Sequence, residues 1–231
     1  MDFIERIPDK TILLEADVAQ IIADDAWNYL TMIKEKMNLI LVIKDLSTVP
    51  NVQRLGFKWF WAFPVSNWQE FRTVIALNPE YILLGGSLFF DLRNVKTKTS
   101  IPIRLCANGG YDFYLPAESR LCFPWLRPND VSVYEPYVDA LEFYGDDLPQ
   151  EATLLKVYKS QKWPGNLNFI INHLNIDVDN RSISEEFAEV RIGCRQKCME
   201  NGSCHYCHHT IHFAETLRKE HERRTQEKEK N

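Results

Sequence analysis

Leu39-Ile40-Leu41-Val42-Ile43 is five consecutive apolar residues, three of them β-branched, with no polar position to mark a wet side. A strand that alternates apolar and polar residues exposes one face. A continuous run is buried on both, as in a parallel sheet covered by helices. Similar runs recur on either side, at 11–15, 58–63, 81–84, 102–106, 140–144 and 167–171, which makes seven candidate strands. Between them lie segments of helical spacing. The first covers 17–36, with Asp17 as N-cap and Val18, Ile21, Ile22, Leu30 and Ile33 recurring near a 3.6-residue period. Others cover 67–77, 87–95, 130–138 and 148–161. Apolar strands separated by helices predict repeated βα units in an α/β fold. No G-x-G-x-x-G follows the first strand, so a dinucleotide-binding sheet loses its main support. The expectation is a (β/α) barrel over 1–190, complete, truncated or incomplete, followed by a cysteine-rich metal loop and a charged C-terminal helix over 191–231.

Composition narrows the function classes. The 231 residues are 45% hydrophobic and 26% charged, enough for a packed core. A net charge of −5 argues against a nucleic-acid coat protein, which needs a basic face. From Arg191 onward nine Lys/Arg outweigh six Glu, so the C-terminal helix is weakly basic and suited to an acidic partner. The N-terminus lacks the residue order of a signal peptide, and no apolar run approaches the length of about 18 residues that a membrane span needs. A cytoplasmic, non-membrane protein is expected. Six cysteines in such a compartment point to metal or redox chemistry before disulfides.

Four of those cysteines cluster as Cys194-x3-Cys198-x5-Cys204-x2-Cys207. Four thiols in so short a segment can converge on one tetrahedral centre, zinc or an iron–sulfur cluster. Ser203 is a good N-cap, so Cys204 and Cys207 fall in a first helical turn, where the helix dipole favours thiolate. Arg191, Arg195 and Lys197 add positive charge nearby. His205, His208, His209 and His212 follow, and any of them can replace a cysteine as ligand. No Glu follows His208, so the H-E-x-x-H metalloprotease motif is absent.

In a barrel, residues that end strands face the chemistry. Glu15, Lys44, Asp45, Asn108, Glu142 and Asn172 hold such positions. Glu15 and Glu142 can serve as acid and base, or as caps and salt-bridge partners. Gly85-Gly86-Ser87 reads as a tight turn or, less simply, as an anion cradle. Cys106 and Cys122 flank an aromatic-rich segment from Asn108 to Asp130, but no base can be named for either thiol, so each reads as a buried hydrophobe. The aromatic run Trp59-Phe60-Trp61-Ala62-Phe63 suits a sheet core, or the stacking of flat ligands.

The run from Cys122 to Phe143 contains Arg127, Pro128, Asp130, Tyr134, Glu135, Asp139 and Glu142. In this it resembles the peptidase U-thirty-two (collagenase-like) family, as does Tyr81-Ile-Leu-Leu-Gly-Gly-Ser-Leu. The resemblance implies a (β/α) barrel, a four-cysteine iron–sulfur cluster, and action on RNA, a small metabolite or a peptide. Two departures stand out: the cysteines here form one compact group, and position 129 is Asn rather than an acid. The candidate catalytic set is Glu15, Arg127, Asp130 and Glu142, with Arg127 placed to clamp a carboxylate or phosphate. The alternative is a zinc-stabilised interaction module without catalysis.

Overall fold

The computed structural model describes residues 11–15, 27–108, 125–143, 148–171 and 178–194, together with Lys219 and Arg223, which are helical. Within them six strands form. β1 (Thr11–Glu15), β2 (Asn38–Ile43) and β3 (Lys58–Trp61) make one parallel sheet in chain order. β4 (Ile82–Leu84), β5 (Ile103–Cys106) and β6 (Ala140–Glu142) make a second, again parallel and in chain order. A single bridge between Val65 and Leu84, and a bond from Glu80 N to the Trp59 carbonyl, link the two.

The helices follow from local signals. α1 (Trp27–Lys36) lies between β1 and β2, and α2 (Val49–Arg54) starts with Pro50 in its first turn, where no amide is needed. α3 (Trp68–Ala76) is capped by Asn67, whose side chain accepts from Gln69 N and Glu70 N. α4 (Leu92–Lys96), α5 (Val131–Tyr134), α6 (Leu148–Ser160) and α7 (Phe187–Ile192) complete the set. Sheets that grow in one direction through right-handed crossovers collect their helices on one face. The alternation agrees: Leu39, Leu41, Ile43 and Trp59 pack with Leu30 of α1 and with Val49 and Val52 of α2. Ile40 and Phe60 point the other way and form a separate small cluster with Tyr81. The largest core surrounds β4–β6, where Ile82, Leu105 and Leu141 meet Phe71 of α3, Tyr134 of α5, Tyr158 of α6 and Phe187 of α7.

The barrel expectation fails here. Two open three-stranded sheets stand where a closed ring of strands was predicted. The seventh run, 167–171, does not pair as a strand. Asn166 Oδ1 accepts from Asn168 N and bends 167–169 into a 3-10 turn, which buries Leu167 and leaves Phe169 72% exposed. An antiparallel bridge from Asn166 to Asp179 then turns the chain back on itself.

The turn after β4 is held by close backbone approach. Gly86 has φ +46°, and a Cβ there would lie 2.7 Å from the Ser66 carbonyl oxygen. Gly85 N donates to Val65 O, while Ser87 N and Oγ both donate to Ser66 O. These donors are spent within the protein, which favours the tight-turn reading over an anion cradle. No helix among the described residues is long and apolar enough to cross a membrane.

Candidate functional site

Side-chain parity sets the site. Arg104 pairs in register with Ala140, and Cys106 with Glu142, so Arg104, Cys106 and Glu142 share the sheet face that carries Phe60 and Tyr81 rather than the helix-packed one. Phe60 and Tyr81 stack with ring centroids 4.4 Å apart and planes at 22°. The Arg104 guanidinium carbon sits 3.6 Å from the Tyr81 ring centroid, so the cation lies against the aromatic face. Arg104 Nη1 then donates to Glu142 Oε1 at 3.3 Å. The side chains are 27% and 20% exposed, so the pair is sheltered yet reachable. Burial pushes the Glu142 carboxyl above its usual value, and the neighbouring Arg104 charge offsets only part of that rise. A carboxyl held in this way exchanges its proton closer to neutrality than a surface Glu does.

Just past β5 the packing is closed. Cys106 Sγ lies 3.7 Å from Asn108 Oδ1, to which it donates, and Asn108 is buried. The Tyr158 hydroxyl donates to Leu126 O at 2.7 Å and approaches Ala107 O at 3.3 Å. Complete burial raises its pKa well above the ordinary value, with the Cys106 and Asp130 charges adding to the effect, so it stays a neutral donor.

The predicted site residues are distributed unevenly. Arg127 and Asp130 are brought together as a buried bidentate pair, with Arg127 also bonded to the Ile183 and Ser184 carbonyls. Glu142 pairs instead with Arg104, which the sequence reading passed over. The available signal was a lone charge inside the apolar run Ile103–Cys106. Glu15 ends β1 opposite Val42. Asp45 caps the turn after β2 by accepting from Ser47 N and Oγ, and the Ser47 hydroxyl bond chiefly lowers its pKa. Of the aromatic run, Trp59 is core and Phe63 is 47% exposed. Asn172 and Cys122 lie outside the described residues.

Of the four clustered cysteines, Cys194 follows α7 and packs against the main core. Cys198, Cys204, Cys207 and the histidines from His205 to His212 lie outside the described residues. Arg191, read as one of the positive charges near the thiols, is buried in α7. Its guanidinium lies among Phe89, Phe90, Trp125 and Phe187, and Nη1 donates to Trp125 O. Among the described residues no three His, Cys, Asp or Glu side chains gather to hold a metal ion.

Comparison with protein-family models, with characterised proteins and with solved structures returns no match. The resemblance to the peptidase U-thirty-two family therefore does not hold, because no family model supports it and the open sheets conflict with the barrel it implies. The metal-binding, iron–sulfur barrel enzyme loses its frame for the same reason. The zinc-stabilised module finds no metal group among the described residues either.

Proposed function

We propose that the sheet face bearing Arg104 and Glu142 binds a small molecule with an anionic group, Arg104 anchoring the anion and Glu142 exchanging a proton with the ligand. The observation that carries this reading is the sheltered Arg104–Glu142 pair, with its carboxyl pushed upward, Arg104 within β5 and Glu142 at the end of β6. One Arg104 donor meets Glu142, and a guanidinium has further N–H groups to offer a carboxylate or phosphate. The chain's net negative charge favours a small ligand over RNA as partner. Its cysteine content supports a reducing, cytoplasmic setting.

The titration of Glu142 tests the proton-exchange half. Carboxyl-detected NMR is expected to place its midpoint above 4.5, and Arg104→Met to move it further up by removing the one charge that lowers it. The folded value exceeds the unfolded one, so the folded state keeps the proton longer. Stability then falls as pH rises from 4.5 through the folded midpoint, and Glu142→Gln removes that slope. Calorimetric titration with acetate and with inorganic phosphate tests the anchor. Binding is expected to vanish in Arg104→Met, and its persistence there would sink the assignment.

A separate proposal concerns the clustered thiols. Cys194, Cys198, Cys204 and Cys207 hold one zinc ion or one iron–sulfur cluster, on the strength of their spacing alone. Anaerobically purified protein is expected to carry bound metal, brown for a cluster and colourless for zinc. A Cys204→Ser variant should lose it; unchanged metal content would remove Cys204 from the ligand set.

A further inference from the structure

Arg104 meets Glu142 through one long bond. It donates to Glu142 at 3.3 Å, long for a charge-assisted bond, and lies against the ring of Tyr81. An arginine side chain has several rotatable bonds, and its rotamer freedom is worth about 2 kcal/mol when lost. Something must restrict it for one guanidinium position to persist. The ring of Tyr81 is suited to that task, because it is itself fixed. It is 1% exposed, stacks on Phe60 of β3, and lies immediately before β4. The order Phe60, Tyr81, Arg104, Glu142 therefore runs from the first sheet into the second as one ladder, each member resting on the one before.

We infer that Tyr81 is the positioning residue of this site, its ring setting where the Arg104 guanidinium lies and thereby how Glu142 and an incoming anion meet it. The inference rests on the small-molecule reading above and adds the element that organises it. Tyr81 touches neither ligand nor carboxylate in this scheme and acts through Arg104. Among the described residues Arg104 bonds to Glu142, and Cys106 lies in register with it on β5, so a change in guanidinium position registers at Glu142.

The test uses the full chain and two variants. Tyr81→Leu removes the aromatic face, whereas Tyr81→Phe keeps it and loses only the hydroxyl. The Glu142 midpoint is expected to rise in Tyr81→Leu, in the same direction as in Arg104→Met, and to return to the wild-type value in Tyr81→Phe. Acetate affinity, measured at one pH, should fall about tenfold in Tyr81→Leu, the loss that about 1.4 kcal/mol of ring–cation contact corresponds to, and recover in Tyr81→Phe. Should Tyr81→Leu prove too unstable to study, Phe60→Leu loosens the ladder one step further away and is expected to shift the same midpoint less. If Tyr81→Leu folds and leaves both the midpoint and acetate binding unchanged, Tyr81 is packing and the inference falls, while the Arg104–Glu142 reading survives. If the wild type itself binds no acetate and Glu142 titrates as an ordinary carboxyl, the reading beneath it falls instead.

Discussion

Replacing Arg127 by Met is expected to cost about 3–5 kcal/mol of folding stability, the typical penalty for breaking a buried ion pair from one side. The pair is almost dry, with the two side chains 3% and 4% exposed. Arg127 Nε meets Asp130 Oδ2 at 2.7 Å and Nη2 meets Oδ1 at 2.6 Å. Nη1 and Nη2 also donate to the carbonyls of Ile183 and Ser184, at 3.1 and 2.9 Å. The guanidinium thus fastens the segment before α5 to the segment entering α7. With Arg127 gone, the Asp130 carboxylate must stay buried without its cation or take up a proton, and two carbonyls lose their donor. The double variant Arg127→Met/Asp130→Leu tests the cause, because removing both charges removes the orphan. Urea midpoints are expected to fall sharply in the single variant and to recover much of the loss in the double. An equally unstable double variant would assign the effect to the carbonyl bonds instead.

The second large effect is expected at Gly86. Its φ of +46° already disfavours any side chain by about 1–2 kcal/mol. A Cβ would also meet the Ser66 carbonyl oxygen at 2.7 Å and the Ser66 Cα at 3.0 Å, which are backbone atoms with no rotamer to yield. Forced overpacking adds about 1–3 kcal/mol more. Gly86→Val should therefore lower the unfolding midpoint in urea about as far as a large core truncation does. Gly193 provides the control: it has nothing within 4 Å of a Cβ and an ordinary φ of −113°, so Gly193→Ala should be harmless or slightly stabilising. Equal losses at the two glycines would show that the Ser66 approach is not what Gly86 serves.

These expectations draw on features that the chain reveals to different degrees. The parallel strands were legible because β2 and β4 are apolar on both faces, and the Asn67 cap marks the start of α3. The closed ring was not legible. Whether a sheet closes depends on pairing between strands far apart in sequence, and the run 167–171 looks like a strand until Asn166 captures Asn168 N and turns it. Glu142 was found because it ends a strand. Arg104 was missed because it sits inside one, and its role emerges only when the β5–β6 register places it with Glu142. Arg127 and Asp130 were named from a resemblance that did not hold, and their mutual burial gives them a structural account of their own.

Chain-order pairing also bears on how the molecule is made. Every β-partner in either sheet is the next strand along, so no strand must wait for a distant segment to be synthesised. β1, β2 and β3 can pair while the remainder is still inside the ribosome, and β4 to β6 can join in the same order. Each pairing still spans a crossover, as from Cys106 at the end of β5 to Ala140 at the start of β6, and parallel pairing of that kind is slow to form. Folding from the amino end forward limits the time for which an unpaired apolar edge, such as that of β2, is open to other nascent chains.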